Sequence, residues 1–394
     1  MRDRFIKRLI GKRGYRLWQQ VCESDLTAQH HHYRVIQSID FQEHKHEGQC
    51  LVKKESYKIA FVVEEMWAHS GGITSILRLG TYLTQFGHHV YYVDLSGRPV
   101  KESAENAKNN LPYYEGELIG EEGLNDEYDI GVATAWLTAY YLYGRDNFSY
   151  KCYFIQDFEP AFFPLGDLYH LALNTYRFNF HMISLGPWNA SQIRKHIGKV
   201  EISLIDFPVE VQQFPIQKRK INVTNRLKLI VYVKPASRRA PILVFQSLDL
   251  LTRALADRQM TVQVLVFGLD PRAEIPIGTN AGYVPHNELL EYYRTCDFGV
   301  VASFSNISLI TYEMIASGLP VIEFKDGSAP TFFDKRQLIF CETSPADFVS
   351  KVLYYLDHQE GLNKMVVNAQ DSLRDKTWER STRSFIAAIT STQN

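Results

Sequence analysis

The 394-residue sequence has few cysteines, almost no net charge and no long apolar run. Its five cysteines are an odd number without a Cys-X-X-Cys pair, which argues against a disulfide framework and favours reduced thiols. Cys152 lies in a predicted strand, and Cys296 lies at the edge of one. No stretch approaches the roughly 18 consecutive apolar residues of a membrane span, and no secretory signal is visible. A formal net charge of -1 gives no overall attraction to nucleic acid. These absences predict a cytoplasmic globular protein that does not bind nucleic acid.

The sequence also lacks two glycine motifs that commonly bind phosphate in α/β proteins. It contains neither the GxGxxG turn of dinucleotide-binding domains nor a GKS or GKT phosphate loop. The missing GxGxxG turn, together with the missing YxxxK pair, argues against a nucleotide-sugar epimerase. A site for a phosphorylated ligand must therefore be built from other residues.

The first 56 residues are predicted to form an extension before the folded body. Residues 1–18 carry seven Lys or Arg and one Asp, and their apolar side chains fall near one helical face. This pattern is typical of a helix that lies on an anionic membrane surface. It predicts either peripheral contact with the inner face of the cytoplasmic membrane or a solvated helix packed on the body. His30, His31 and His32 are adjacent, so they lack the i, i+4 spacing of a metal site on a helix.

Segments with the pattern of buried strands alternate with helical patterns in two series. The first unit has a strand at 57–63, a helix that starts after Gly71 and Gly72, and a strand at 89–95, so these strands are predicted to be parallel. Further strands are predicted at 128–134, 151–157, 180–186, 201–207, 227–233, 261–268, 297–303, 319–324 and 337–341. Further helices are predicted at 165–177, 187–197, 240–256, 286–295, 308–317, 345–357 and 360–390.

Two such series predict an α/β fold with two doubly wound, Rossmann-like domains of parallel sheet that face across a cleft. A segment at 208–227, with two prolines and a cluster of Lys and Arg, separates the series. We expect an N-terminal domain at 57–210, a second domain at 211–375 and a C-terminal helix at 376–394.

Two predicted strands are followed by residues suited to an anionic ligand. Gly71 and Gly72 stand at a strand-to-helix turn, where the backbone can approach a ligand closely and the helix start offers free N–H groups. Lys234, Arg238 and Arg239 follow the first strand of the second series, at the edge where parallel sheets bind ligands. Arginine forks suit a diphosphate. The structural alternatives are a tight turn for the glycines and a solvated basic turn for the cations.

A third motif is the polar loop and helix that follow the strand ending at Ser303. The helix runs to Ser317 and carries Glu313 in an otherwise apolar stretch. A carboxylate there needs a partner, because burying an isolated charge is costly. The hydroxyl groups of a ribose would serve, and a nearby arginine or backbone amide is the structural alternative.

Three segments follow one another in the second half, and they are KPASRRAP, GYVPHNELLEYYRTCDFGVVAS and the Glu313 helix with ASGLPVIEF. In this order they resemble the C-terminal domain of GT-B glycosyltransferases of retaining family 4. The span 57–390 resembles the whole architecture, with a tail around Trp378 similar to the helix that crosses back to the first domain. The segments FVVEEMWAHSGGITSILRLGTYLTQFGHHVYYV and CYFIQDFEPAFFPLGDLYHLALNTYRFNFHMISLGPW resemble rhamnosyltransferases of the WsaF type, which act in bacterial surface-glycan assembly. The resemblance implies a sugar-nucleotide donor, held mainly by the C-terminal half, and a glycan or lipid-linked glycan acceptor.

The resemblance also implies roles for individual residues. The matching positions are Gly71, Gly72, Lys234, Arg238 and Arg239 for the donor diphosphate, Tyr283 and Val284 for the base, and Glu313 for the nucleotide ribose. Two positions depart from the family pattern, since Ser305 replaces an upstream glutamate and Gln156 replaces a frequent histidine. We expect Gln156, Ser305 and Asn306 to contact the transferred sugar. The departures favour a deoxysugar donor such as dTDP-β-L-rhamnose.

The implied reaction is transfer with retention of configuration, by front-face attack of the acceptor. Cations would stabilise the departing diphosphate more in the transition state than before it, so neither a metal nor another cofactor is expected. Asp157 and Glu159 are the candidates for orienting the acceptor or removing its proton. Their structural alternative is to cap the turn before Pro160.

Two other functions remain open at this point. One is a UDP- or GDP-sugar transferase of the same fold. The other is a non-catalytic protein that binds glycan or organises an assembly complex. The aromatic residues of the segment after Asp157 form either a sugar platform or part of the core, and they are Phe158, Phe162, Phe163 and Tyr169.

Overall fold

The computed structural model describes residues 32–33, 35–37, 39, 49–210 and 213–391. Within them lie two β-sheets, one of seven strands and one of six, and all neighbouring strands in both sheets are parallel. The predicted α/β fold with two doubly wound sheets is therefore confirmed. The basic segment 1–18, for which membrane contact is predicted, lies outside the described residues, as do His30 and His31.

The first sheet and its helices occupy the first half of the chain. The strands are β1 Lys58–Val63, β2 His89–Asp94, β3 Glu117–Ile119, β4 Tyr128–Ala133, β5 Phe148–Ile155, β6 His181–Leu185 and β7 Ser203–Ile205. The helices are α1 Gly71–Gln85, α2 Val100–Asn110, α3 Trp136–Tyr143, α4 Asp167–Asn174 and α5 Pro187–Ile197. The spatial order β3-β2-β1-β4-β5-β6-β7 reverses between β1 and β4, and such a reversal opens a crevice at the carboxyl edge of a sheet.

The second sheet repeats this plan. Its strands are β8 Arg226–Tyr232, β9 Thr261–Phe267, β10 Thr279–Asn280, β11 Phe298–Val300, β12 Val321–Phe324 and β13 Ile339–Cys341. The helices are α6 Pro241–Ala256, α7 His286–Thr295, α8 Leu309–Ala316, α9 Pro345–Asp357, α10 Gln359–Asp371 and α11 Trp378–Ser391. The order β10-β9-β8-β11-β12-β13 reverses between β8 and β11, so the basic motif after β8 and the polar loop after β11 meet at the second crevice.

The central strands are buried on both faces, as parallel sheets require. Five of the six residues of β1 and all four of β12 are buried. One apolar cluster is continuous from the first sheet to the second, and within it the rings of Phe207 and Tyr312 stack with centroids 4.9 Å apart. Cys152, Cys296 and Cys341 are buried and free, while Cys50 is exposed and free.

The last helix returns to the first half of the chain. In α11, Phe385 packs against Phe61 of β1 and Phe154 of β5, with ring centroids 6.3 and 6.0 Å apart. The Ser381 hydroxyl donates to the carbonyl of Asp206 at 2.9 Å. The C-terminal helix therefore completes the core beneath the first sheet.

The sequence analysis missed four elements. Helix α2, with the sequence VKESAENAKNN, is mostly polar and buries only Ser103 and Ala107, so it has no apolar stripe. Helix α3, with the sequence WLTAYYLY, is apolar throughout and so has no helical period. Strands β3 and β10 have three and two residues, too few for an alternating pattern. The segment 360–390, predicted as one helix, is divided into α10 and α11. In the part of the chain that the structure describes, no helix has the length and hydropathy of a membrane span.

Candidate active site

Three cations cluster at the carboxyl end of β8. Lys234 follows the strand directly, and Arg238 and Arg239 lie in a short 3-10 turn, Ser237–Arg239, before α6. All three side chains are half-buried. Arg239 donates Nη1 to the carbonyl of Ala302 at 3.1 Å and to Oγ of Ser303 at 3.5 Å, so it is fixed to the loop after β11. The crevice between β8 and β11 is therefore lined by positive charge.

The charges in this cluster are not neutralised by contact. Among the described residues, none of the three cations has a carboxylate oxygen within 4.0 Å. Burial and the like charges of Arg239 and Arg238 lower the pKa of Lys234. The buried Nε of Arg238 has no hydrogen-bond partner in the same part of the chain. Such an arrangement favours an anion, because an unpaired buried charge is costly.

Aromatic rings hold two of these cations in place. The Arg238 guanidinium lies 4.0 Å from the centroid of Phe162, and Lys234 Nζ lies 5.3 Å from the centroid of Tyr283. Tyr283 also stacks on His69, with centroids 5.3 Å apart and planes 9° from parallel. Because His69 belongs to the first half and Tyr283 to the second, the stack brings the glycine turn and the loop after β10 to the same side of the cleft.

The glycine pair starts helix α1 and is exposed. Ser70 caps the helix by accepting from the N–H of Ile73. A Cβ added to Gly72 would lie 3.7 Å from Nε2 of Gln156, and one added to Gly71 would lie 3.9 Å from Cδ1 of Leu309. These are ordinary contact distances, so the packing of the protein does not itself require glycine at either position. The backbone of the two glycines, which lies between the end of β5 and the start of α8, is thus left open to a ligand.

Asp157 faces the cations from the opposite half of the chain. It follows β5, and its Oδ1 accepts a hydrogen bond from Ser305 Oγ at 2.9 Å. Burial raises the pKa of Asp157, while the charges of Arg239 and Arg238 and the Ser305 hydrogen bond lower it. A carboxylate therefore stands across from the basic cluster without contacting it.

Glu313 lies on α8 and is partly exposed. The buried Tyr293 donates its hydroxyl to Oε2 of Glu313 at 3.4 Å. Burial raises the pKa of Glu313 to about 7, and the charge of Arg78 opposes that rise. Neither structural partner expected from the sequence, an arginine in contact or a backbone amide, holds this carboxylate in the described residues. Tyr283 is 46% exposed, and Val284 is partly buried against the core.

The polar loop after β11 connects the two halves of the chain. Ser305 and Asn306 are buried, at 0% and 1% exposure. The Ser305 carbonyl accepts from the N–H of Phe158 at 3.2 Å, and Asn306 Nδ2 donates to the carbonyls of Gln156 and Leu185. The sequence analysis expected Ser305 and Asn306 to contact a sugar, but burial and these bonds favour a connecting role instead. Of the three predicted sugar-contact residues, only Gln156 is partly exposed, and its side chain lies beside Gly72.

Glu159 does not share the position of Asp157. It is buried at 5% exposure, and its Oε2 accepts from the N–H of Trp136 at 2.6 Å while its Oε1 accepts from the Tyr153 hydroxyl at 2.7 Å. Both oxygens are thus occupied inside the first half, at the N-terminus of α3, where a carboxylate is favourable. Burial raises the pKa of Glu159 to about 8. The geometry favours the structural alternative over proton removal, although the helix that Glu159 caps is not the predicted turn.

The aromatic segment after Asp157 divides between core and site. Phe158 is buried at 4% exposure and stacks on Tyr176, and Phe163 packs against Trp136. Tyr169 packs against its neighbour His170. Only Phe162 reaches the cations. These residues do not form a sugar platform together.

The sequence analysis missed two further side chains, one after β1 and one in β12. Trp67, after β1, is 55% exposed, and the Arg98 guanidinium lies 5.1 Å from its ring. Glu323 of β12 is fully buried and accepts hydrogen bonds from Ser303 and Thr311. An exposed Trp beside a glycine turn could have been noticed from the sequence, but Glu323 sits in the apolar run VIEF and gives no local signal. In the described residues, no group of three or more His, Cys, Asp or Glu is arranged to hold a metal ion.

Comparison with known proteins adds a family match for the second half. Residues 246–387 match a family described as "Glycosyl transferase-like". The O-antigen biosynthesis protein RfbC of Myxococcus xanthus is 25% identical over 260 residues, which cover 64% of this chain and 20% of that protein. The chain thus corresponds to about one fifth of the length of this relative.

Solved structures decide the fold. Anabaena HepE, crystallised with UDP-glucose, has a TM-score of 0.67 at 12% identity, over 85% of this chain and 100% of that one. The protein has the GT-B glycosyltransferase fold. A variant of S. aureus TarM, crystallised with fondaparinux, α-GlcNAc-glycerol and UDP, has a TM-score of 0.66 at 10% identity, over 86% of this chain and 100% of that one. At such identities the likeness concerns the GT-B fold, and the WsaF-type resemblance rests on the sequence segments alone.

Proposed function

We propose that the protein is a retaining glycosyltransferase that transfers rhamnose from dTDP-β-L-rhamnose to a growing bacterial surface polysaccharide. The main support for a sugar-nucleotide donor is the cluster of three cations at the β8–β11 crevice. Among the described residues, these cations have no ion-pair partners. Support for the polysaccharide comes from the similarity to the O-antigen biosynthesis protein RfbC and from the WsaF-type segments. The donor sugar rests on those segments and on the partly exposed Gln156, which replaces a frequent histidine of the family.

The diphosphate of the donor binds Lys234, Arg238 and Arg239. The exposed N–H groups of Gly71 and Gly72, at the start of α1, face the same ligand from the first half. Because the packing leaves room for a methyl group at both glycines, their lack of a side chain serves the approach of a ligand. Glu313 binds the 3′-hydroxyl of the donor's deoxyribose, and the backbone of Tyr283 and Val284 reads the base.

The cations act on the charge that forms during the reaction. The bond between the anomeric carbon and the phosphate oxygen breaks, and its electron pair passes to that oxygen. The three cations stabilise the new negative charge more strongly than the charge of the intact donor, and they are already fixed by Phe162, Tyr283 and Ala302. The departing diphosphate is then released as the nucleoside diphosphate.

The acceptor attacks from the face that the diphosphate leaves. Its hydroxyl oxygen forms the new bond to the anomeric carbon, and its proton passes to the carboxylate of Asp157. Ser305 holds that carboxylate by its Oδ1. Burial raises the pKa of Asp157, which makes it a stronger base than an exposed aspartate. Glu159 takes no part, because both its oxygens are occupied in the first half.

A second donor class has an observation of its own. HepE and TarM were crystallised with UDP-glucose and with UDP, respectively. A UDP-sugar transferase of the same fold would use the same cations and Glu313. The two hypotheses differ in the base and the sugar, and a panel of donors separates them.

The test measures binding and turnover with dTDP-rhamnose, UDP-glucose and GDP-mannose. The wild-type protein is expected to be stabilised by dTDP and to release it fastest from dTDP-rhamnose. The Arg239→Ala protein is expected to keep its fold and lose about a hundredfold or more in turnover, as for other groups that stabilise transition-state charge. Arg258→Ala, which removes an exposed arginine paired with Asp357 on the same domain, is the matched control and should keep full activity.

Three results would change the assignment. Normal turnover by Arg239→Ala would reject the diphosphate site. Preference for UDP-glucose would replace rhamnose by the second donor class. Binding of a nucleotide without hydrolysis or transfer of any donor would favour a non-catalytic glycan-binding or scaffold protein. Nuclear magnetic resonance of the product's anomeric proton tests retention.

A further inference from the structure

A buried carboxylate lies directly beneath the proposed diphosphate site. Glu323 is on β12, with 0% exposure. Its Oε1 accepts two hydrogen bonds, from Ser303 Oγ and from Thr311 Oγ1, each at 2.8 Å. Its Oε2 has no hydrogen-bond partner among the described residues. An acid held in this way costs stability, so its presence in a central strand requires a reason.

Ser303 links this carboxylate to the cation cluster. The serine hydroxyl has one proton, and it donates that proton to Glu323. Its oxygen is therefore free to accept, and Arg239 donates Nη1 to it at 3.5 Å. The result is a chain from the Arg239 guanidinium through the Ser303 hydroxyl to Glu323. Hydrogen bonds in such a chain polarise one another, so the carboxylate makes Ser303 a better acceptor for Arg239.

Arg239 also interacts electrostatically with a second acid, on the other side of the cleft. Burial raises the pKa of Asp157 and raises the pKa of Glu323 to about 7, and the charge of Arg239 opposes both rises, so the arginine stands in the field of both carboxyl groups. Without hydrogen bonds on the side of β12, the guanidinium would move toward Asp157. The ion pair would then neutralise part of the positive charge of the site. The bonds to Ala302 and Ser303 keep it at the edge of the second sheet.

We propose that Glu323 is a positioning residue, which acts through the Ser303 hydroxyl to hold Arg239 in the orientation that receives the donor diphosphate. This inference rests on the proposed function, since that function assigns Arg239 to the diphosphate. Glu323 itself is buried below the crevice and touches no substrate.

The structure supplies a matched pair of variants. Ser303 and Thr311 donate to the same oxygen of Glu323 at the same distance, but only Ser303 also contacts Arg239. Ser303→Ala and Thr311→Val each remove one hydrogen bond from the carboxylate. If Glu323 merely supports the fold, the two variants have similar effects. If it positions Arg239, only Ser303→Ala affects a ligand of the cluster.

The experiment measures the affinity of UDP and of dTDP by calorimetry, with urea unfolding as the stability readout. Ser303→Ala is expected to weaken nucleotide binding by about tenfold, the effect of losing one hydrogen bond to a charged group, while Thr311→Val changes it less than about twofold. In an Arg239→Ala background, Ser303→Ala is expected to have no further effect on affinity, because its route to the ligand is gone. Glu323→Gln is expected to weaken binding in the same direction.

Two outcomes overturn the proposal. One is equal weakening of nucleotide binding by Ser303→Ala and Thr311→Val. The other is an effect of Ser303→Ala that persists in full without Arg239. If Glu323→Gln fails to fold, the Ser303 and Thr311 variants still decide the matter. A wild-type protein that binds neither UDP nor dTDP would reject the proposed function itself, and this inference with it.

Discussion

Replacing Glu159 with glutamine separates proton removal, the role that the sequence analysis proposed, from the capping of α3 that the structure shows. In the structure, the carboxylate accepts from the Trp136 N–H and from the Tyr153 hydroxyl, and it is buried. Glutamine keeps the shape and can accept from Trp136 through its carbonyl oxygen. Its amide can donate to the Tyr153 hydroxyl. The substitution therefore removes the ionisable group while it leaves the cap largely in place.

The size of the effect follows from the pKa of this group. Burial raises the pKa of Glu159 from an ordinary 4.5 to about 8. Between these values the folded protein keeps the proton that the unfolded chain releases. The contribution of Glu159 to stability is thus fully present below pH 4.5 and is lost as the pH rises to about 8. Each pH unit in this window corresponds to at most about 1.4 kcal/mol.

Urea unfolding at pH 5, 6, 7 and 8 measures this difference, with the fluorescence of the adjacent Trp136 as one reporter. Relative to the wild type, Glu159→Gln is expected to gain roughly 2–3 kcal/mol of unfolding free energy between pH 5 and pH 7. Its turnover is expected to stay within a few-fold of wild type. Glu117→Gln, at an exposed position on β3, is the control and should run parallel to wild type at every pH.

Two results would refute this reasoning. Parallel stability profiles for the wild type and Glu159→Gln would show that the carboxyl group does not carry the proton in the folded protein. A loss of turnover by orders of magnitude at unchanged stability would show that Glu159 has a catalytic role.

Two further predictions concern Glu313 and the glycines of α1. Glu313→Gln is expected to weaken UDP binding by about tenfold at pH 8. Because burial raises the pKa of Glu313 to about 7, the wild type should bind UDP more tightly at pH 8 than at pH 6, and the variant should not. Calorimetry at the two pH values checks this difference. Gly72→Ala is expected to keep or raise thermal stability, since its Cβ would meet Gln156 only at 3.7 Å, yet to lower turnover by entering the ligand space. Gly80→Ala on the same helix drives its Cβ into the Tyr92 hydroxyl and should lower the melting temperature by several degrees. Normal turnover by Gly72→Ala would contradict the assigned glycine turn.

Local pattern was enough to predict the basic cluster and eleven of the thirteen strands in the part of the chain that the structure describes. The strands are continuous apolar runs between turns, and the carboxyl ends of parallel strands lie at one edge of a sheet. The order of residues along the chain was therefore sufficient to assign Lys234 and Arg239 to a crevice. Helix α3 could not be predicted, because its eight residues are apolar on every side.

The roles of single polar residues depended on contacts between distant parts of the chain. Ser305 bonds to Asp157, 148 residues away in sequence, and this contact makes it a connector between the halves. Glu323 is set apart only by the two hydroxyls that reach it from Ser303 and Thr311. The spacing of residues along the sequence does not predict such contacts.

The return of α11 to the first sheet has a consequence for how this protein can be made and divided. The first sheet lacks part of its core until Phe385 has been synthesised and has packed against Phe61 and Phe154. On the ribosome, the half that emerges first therefore lacks this packing until α11, which follows the whole second sheet, has also been made. A fragment cut at the connection near residue 210 would leave an apolar surface open, and two separate pieces of chain are needed to express that half alone.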